Sequence, residues 1–246
     1  EDLPCFVMGN GSNLLVSDDG YRGAIIRIGK RMGKIEVRGE SIYAEAGALL
    51  SQIASAALEN SLCGFEFAGG IPGSLGGACV MNAGAYGGEM KQVLREVSCL
   101  DEDDELLVMR GDELGLGYRT SVFMKRPMTV VGAVIELKKG DRGAIAAKMD
   151  DLRSQRQSKQ PLDIPSAGST FKRPEGYFAG KLIMDAGLKG FTIGGAQVSE
   201  KHCGFIVNRG GASASDVAEL IRYVRDTVEK QFGVRLETEV RFIGKF

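Results

Sequence analysis

The chain has 246 residues, 43% hydrophobic and 26% charged, which is too apolar for a disordered polymer and long enough for one large domain or two modest ones. Lys plus Arg number 31 against 32 acidic residues, so no bulk attraction to nucleic acid or to an anionic membrane is expected, and an anionic ligand has to be held by local arrangement. Five cysteines (Cys5, Cys63, Cys79, Cys99, Cys203), an odd count without C-x-x-C spacing, disfavour a disulfide framework and a zinc site and fit a reducing cytoplasm, and the single histidine, His202, leaves no multi-histidine metal site.

No apolar run reaches the ~20 residues of a membrane span. The chain opens at Glu1 and enters the apolar "CFVM" almost at once, which reads as a fragment cut inside a domain. "CFVMG" and "AIIRI" are expected strands. "IYAEAG" leads into a helix over "ALLSQIASAALENSL", whose stripe is Leu49, Leu50, Ile53, Ala57 and Leu58. "LREVSCL" and "ELLVMR" flank the acidic turn "DEDD", and "MTVVGAVIEL" completes a meander.

A domain boundary is expected near Gly140. Beyond it "AIAAKMDDLRSQRQSKQ" reads as a helix stopped by Pro161, and its basic end, Arg153 to Lys159, reads as one solvated face. "FAGKLIMDAGL" is a short helix and "HCGFIVN" a strand. The long helix in "SASDVAELIRYVRDTVEKQFG" has Ser213 or Ser215 as its cap, Val217, Leu220, Ile221, Val224 and Val228 as its buried stripe, and Gly233 as its stop. "VRLETEVRFIG" closes the chain as a strand, with Val234, Leu236, Val240 and Phe242 alternating.

Two glycine-bearing segments carry the chemistry. "MGNGSNLLVSDDG" starts like a dinucleotide fingerprint but lacks the third glycine and the following helix, so it is either a plain structural turn or an anion-binding nest. "FAGGIPGSLGGACVMNAGAYGGE", residues 67 to 89, holds eight glycines. Each costs ordering entropy, and a purely structural loop rarely needs so many. Bare backbone of this kind suits a large planar, polyanionic ligand, with amides on phosphates and room for rings.

Three polar residues stand in shaped contexts. Arg119 lies in "GYRTS", Ser169 in the turn "PSAGSTFKRP", and Glu239 in "LETEVRF". Each has a bland reading as well, as a solvated arginine, a turn cap and an exposed strand-edge carboxylate.

Taken in order, "GxGSNLLV" at 9 to 16, "GIPGSLGGACVMNAGAYGGE" at 70 to 89, "GYRTS", "PSAGSTFKRP" and "LETEVRFIG" resemble the UDP-N-acetylenolpyruvoylglucosamine reductases of bacterial peptidoglycan synthesis, and the resemblance runs the length of the chain. It implies an α+β fold, with an FAD-binding domain of the vanillyl-alcohol-oxidase type in residues 1–139, a substrate-binding domain in 140–235 and a C-terminal strand in 236–246.

By the same resemblance, Gly9, Asn10, Gly11, Ser12 and Asn13 form the cofactor cradle with Gly69, Gly70, Ile71, Pro72, Gly73, Ser74, Gly76, Gly77, Asn82, Gly84 and Ala85. NADPH reduces FAD and leaves, the enolpyruvyl ether of UDP-N-acetylglucosamine takes its place, and ping-pong kinetics follow. Arg119 and Glu239 bind and polarise the substrate carboxylate, Ser169 supplies the proton, and Lys159 and Arg173 contact the UDP-sugar. Beside the resemblance, a cytoplasmic location follows from the cysteines, no metal site is expected, and a monomer is expected over an oligomer.

Relative to the family pattern, the strands and "IGG"-like motif that complete the adenine side are missing. The link between "GYRTSVF" and "TVVGAVIEL" leaves no room for the tyrosine-bearing loop of one subclass, and the chain resembles the subclass without it. The other readings are a flavin oxidase of the same superfamily and a truncated, non-catalytic nucleotide-binding module.

Overall fold

Five strands, Leu106–Arg110, Leu94–Leu100, Thr129–Glu136, Ser41–Glu45 and Ile35–Arg38, pair in that order into one antiparallel sheet in the computed structural model, which describes residues 3–246. Alternation explains the central strands. Ile42 and Ala44 of one, and Val97 and Cys99 of another, are buried, while their neighbours in sequence point away from the core. Ile35–Arg38 alternates Ile35 and Val37, packed on the core, with Glu36 and Arg38, and pairs with Ser41–Glu45.

Helix α1 (Leu50–Glu59) packs Leu50, Ile53, Ala54 and Ala57 into this core. Leu49 falls outside it as the exposed residue before the first turn, and Ala54 takes the place that the expected stripe gave to Leu58. Inside the glycine stretch the chain forms α2 (Leu75–Met81), a helix that the sequence reading missed. Gly76 and Gly77 depress its propensity, and burial of Leu75, Ala78 and Cys79 overrides that. It ends at Asn82, which caps it with a left-handed φ of 42°.

The long helix α3 (Arg142–Lys159) begins close to the expected boundary but does not mark it. Its Ile145 is buried and Met149 packs on the core of the sheet, so the larger compact unit comprises Cys5–Gly11 and Ile25–Arg156. The division falls within the helix, between Arg156 and Gln157.

The smaller unit gathers residues 12–24 and 157–246. Ser166–Ser169, Phe205–Asn208, Ala196–Val198 and Thr192–Ile193 form its antiparallel sheet, covered by α4 (Ala179–Asp185) and α5 (Ala214–Phe232). Ser213 is the cap of α5. Its Oγ accepts the Asp216 N–H at 3.0 Å, and Asp216 Oδ2 accepts the Ser213 N–H at 3.0 Å. Leu220, Ile221, Val224 and Val228 are buried as the spacing predicts, Val217 is only partly buried with Ala218 buried beside it, and Gly233 ends the helix at φ 68°.

The last strand is shorter than its sequence suggests. Only Arg241–Ile243 is a strand, parallel to Leu14–Val16. Leu236 and Val240 are buried, but the alternation then shifts, leaving Phe242 exposed and Ile243 buried. Among the described residues no helix is long and apolar enough to cross a membrane.

Candidate active site

In the larger unit the two glycine segments meet. Asn10 Nδ2 donates to the Pro72 carbonyl at 3.0 Å. A β-carbon at Gly9 would overlap Ser74 Oγ as it stands, so glycine there lets the first turn lie against the second without moving that side chain. Ser74 is 2% exposed, and among the described residues its hydroxyl has no hydrogen-bond partner. A β-carbon at Gly77 would meet nothing within 4 Å, whereas one at Gly76 would press on Ala46 Cβ at 2.9 Å. Gly76 is therefore bare for packing and Gly77 is bare toward open space.

Bare backbone at Gly77 facing open space, at the start of a helix and beside the first glycine turn, fits a phosphate-bearing cofactor. Ile71 and Gly73 shape the turn before that helix, the Gly73 N–H donating to the Ile71 carbonyl at 2.9 Å. Gly69 and Gly70 lie farther along the same unit, lining a cleft with Phe67, Tyr86, Met149 and Arg156.

Arg156 was hidden in the sequence within an apparently solvated basic face. Arg153 and Lys159 are indeed exposed, but Arg156 is half-buried, and an added β-carbon at Gly70 would sit 3.2 Å from its Cδ. Burial pushes its guanidinium pKa down, opposed in part by Tyr86. Among the described residues it has no ion pair or hydrogen bond. The only signal for it in the sequence was its place three residues before Lys159 and five before Pro161.

Asn82, expected in the cradle, is fully buried with its amide committed to the protein. Nδ2 donates to Glu89 Oε2 at 3.0 Å and to the Gly117 carbonyl at 2.8 Å, and Oδ1 accepts the Lys91 N–H at 2.8 Å. Gly84 and Ala85 pair with Gly88–Glu89 in a small hairpin. The Gly84 carbonyl accepts Arg119 Nη2 at 3.1 Å, so Arg119 stands beside the glycine stretch within the larger unit.

Ser169 and Glu239 belong to the smaller unit. Ser169 lies at the end of a strand rather than in a free turn, opposite Phe205, with a register irregularity between Ser166 and Ser169 and Gly168 at φ 83°. Such a bulge re-aims the side chain that follows it. Beside it the Glu239 N–H donates to the Thr170 carbonyl at 2.9 Å, and Phe171 bridges Thr238.

Glu237, which alternation places on the same face as Glu239, pairs instead with Lys172 at 3.0 Å and stays exposed. Ser12 and Asn13 also belong here. The Ser12 carbonyl lies near Gly168, and Asn13 Nδ2 donates to the Glu239 carbonyl at 3.0 Å. The first turn thus divides, with Gly9, Asn10 and Gly11 in the larger unit and Ser12 and Asn13 in the smaller. Arg173 is exposed, stacked over Phe178 at 4.0 Å, with Nε donating to the Tyr177 carbonyl at 3.4 Å. His202 is structural: its Nδ1 accepts the Gly204 N–H at 3.1 Å, and burial lowers its pKa.

Residues 1–110, which carry four of the five strands of the antiparallel sheet and the glycine-rich stretch, match the family described as "FAD binding domain", so the chain is an FAD-binding protein. Residues 160–243 match the family "UDP-N-acetylenolpyruvoylglucosamine reductase, C-terminal domain".

The chain is 55% identical to the UDP-N-acetylenolpyruvoylglucosamine reductase of Clostridium perfringens (strain SM101), across 99% of this chain and 80% of that protein. It is 55% identical to that of Agathobacter rectalis, across 100% and 82%. The crystal structure of the reductase from Thermus caldophilus superposes with a TM-score of 0.87 at 36% identity, covering 99% of this chain and 86% of that one. The chain belongs to the UDP-N-acetylenolpyruvoylglucosamine reductase family.

Proposed function

We propose that the chain reduces UDP-N-acetylenolpyruvoylglucosamine to UDP-N-acetylmuramate with NADPH through bound FAD, as a cytoplasmic monomer serving peptidoglycan precursor synthesis. The observation that carries this reading is the built backbone around Ser169 and Glu239, the bulge at Gly168 and the Glu239–Thr170 pairing, inside a segment matched to the reductase family.

Bound FAD supplies hydride chemistry between NADPH and the terminal vinyl carbon of the substrate. Gly9, Asn10, Gly11, Ser12 and Asn13, with Gly69 to Ser74, Gly76 and Gly77, hold the cofactor; Pro72, which has no N–H, and Gly69, Ile71, Gly73 and Gly76, whose N–H groups are paired within the protein, contribute shape rather than hydrogen bonds. Arg119 and Glu239 hold the substrate carboxylate, where negative charge spreads as the neighbouring carbon becomes a carbanion. Glu239 does so protonated or tied to a cation, because two bare carboxylates repel. One such contact in a water-poor site is worth ~2.7–4 kcal/mol.

Ser169 donates its proton to that carbanion. Serine is a weak acid, and a strongly basic acceptor makes it sufficient. Lys159 and Arg173 neutralise the diphosphate.

The test is the visible spectrum of the FAD-loaded protein without oxygen. NADPH bleaches the flavin bands and the enolpyruvyl substrate restores them. Ser169→Ala slows restoration by on the order of 10²–10⁴ while sparing bleaching. Equal loss in both half-reactions would remove Ser169 from the proton transfer, and a chain that never binds flavin would overturn the reading.

A further inference from the structure

Arg119 sits at φ 52°, in the left-handed region that residues with a β-carbon rarely occupy. Such a conformation persists only where the surroundings impose it. Here the imposing groups come from the C-terminal end of α2. Asn82 Nδ2 holds the Gly117 carbonyl at 2.8 Å on one side of the turn. On the other, Ser121 Oγ donates to the Val80 carbonyl at 2.6 Å.

Val80 lies in the last turn of α2, where helix carbonyls lack intrahelical partners, so Ser121 satisfies an orphan acceptor as it anchors the turn. Between the anchors Gly117 and Thr120 exchange backbone hydrogen bonds at 3.1 and 3.2 Å. The guanidinium is steadied by the Gly84 carbonyl at 3.1 Å. Asn82 and Ser121 are both 0% exposed, so neither side chain is available to touch a ligand.

We propose that Asn82 and Ser121 are positioning residues that clamp the Gly117–Ser121 turn from both ends and thereby set the reach of Arg119 toward the substrate carboxylate. The proposal rests on the reading of Arg119 given above. It assigns Asn82 a role other than cofactor contact, and it makes one helix serve two ends. The N-terminal half of α2 carries the cradle glycines Gly76 and Gly77, and its C-terminal end carries the clamp. The polar groups facing the clamp are Glu89, which accepts from Asn82, and the Lys91 backbone N–H, which donates to it.

The experiment compares Ser121→Ala, Arg119→Ala and the double variant, each FAD-loaded, in the two anaerobic half-reactions. If Ser121 acts through Arg119, Ser121→Ala slows substrate-driven reoxidation about tenfold or more and leaves NADPH-driven reduction within about twofold. In the Arg119→Ala background it then adds almost nothing.

Ser121→Thr keeps the hydroxyl on an extended backbone, φ −154° and ψ 174°, and restores the rate. In the cofactor-free protein, amide exchange at Thr120 rises about tenfold in Ser121→Ala, a change independent of turnover. Should Ser121→Ala lose folding cooperativity, Asn82→Ser provides the same comparison from the other end of the turn. If Arg119→Ala slows reoxidation but the Ser121 effect is absent or fully multiplicative with it, the clamp is wrong and the reading of Arg119 stands. If Arg119→Ala leaves reoxidation unchanged, the reading of Arg119 itself falls.

Discussion

Asn13 and Glu239, 226 positions apart, are joined by a 3.0 Å hydrogen bond from Asn13 Nδ2 to the Glu239 carbonyl. Asn13 also accepts the Arg241 N–H at its own carbonyl, 3.0 Å, so one residue clips the chain on both sides of Val240. This places a residue of the first glycine turn in support of the glutamate. Asn13→Ala is expected to cost about 0.5–1.5 kcal/mol of unfolding free energy, the worth of one ordinary hydrogen bond. Asn13→Asp is expected to cost more, because a carboxylate then faces a carbonyl oxygen. Both variants should slow substrate-driven reoxidation more than NADPH-driven reduction. Urea titration and the two half-reactions check this, and a Glu239-dependent rate untouched by Asn13→Ala would show that the clip is only structural.

Gly77 separates packing from binding. A β-carbon there meets nothing within 4 Å in the protein, and its φ lies outside the left-handed region, so alanine is compatible with α2. Gly77→Ala should stabilise the cofactor-free chain by about 0.5–1 kcal/mol through helix propensity. If the open space is where the cofactor lies, the same methyl group should weaken FAD binding. A thermal melt without FAD and a fluorescence titration with it read the two signs separately. Unchanged affinity would move the cofactor away from Gly77.

The elements legible in the sequence were those with periodicity. α5 followed from its apolar stripe, its serine cap and Gly233, and the central strands followed from alternation. What was not legible depended on contacts distant in sequence. α2 is a helix despite two glycines because Leu75, Ala78 and Cys79 are buried in the sheet's core. The C-terminal strand is short because residues 237–239 pair with 170–172 instead of extending the pairing with Leu14–Val16. Arg156 looked solvated because composition cannot tell which helix face meets Gly70. Asn82 entered the cradle by resemblance alone, and its three partners show what its amide does in the protein.

Arg156 gives a further test of the cleft. A half-buried guanidinium without an ionic partner weakens the fold that holds it, and burial has already pushed its pKa down. Arg156→Met keeps the length of the side chain and removes the charge. It is expected to leave the cofactor-free protein equally or more stable and to weaken binding of an anionic ligand by about tenfold, the loss of one charge-assisted contact. Titrations with FAD and with the UDP-sugar substrate, run separately, identify which ligand the charge serves. A destabilised protein with unchanged affinity for both would show that Arg156 packs rather than binds.

Asp18 makes the stability of the smaller unit depend on pH. Its carboxylate accepts from the Ala214 N–H at 2.7 Å, the Ser215 N–H at 2.9 Å and Ser215 Oγ at 2.8 Å, tying the segment after Leu14–Val16 to the first turn of α5. These bonds, the Ala214 amide first, hold its pKa below the ordinary carboxylate value. The folded pKa is thus lower than the unfolded one. The stabilisation is complete above the unfolded value and is lost as pH falls through the folded value, where the native carboxylate takes up its proton. Asp18→Asn should therefore lower the unfolding midpoint at neutral pH, and its difference from the parent should shrink toward zero in acid. Some acid sensitivity should survive in the variant, since Asp216, whose pKa is lowered by the Ser213 and Gly195 amides, still caps the same helix. Denaturant melts across the acid range decide the matter: a gap between parent and variant that stays constant with pH would mean that the hydrogen bonds of Asp18, and not its charge, hold α5 in place.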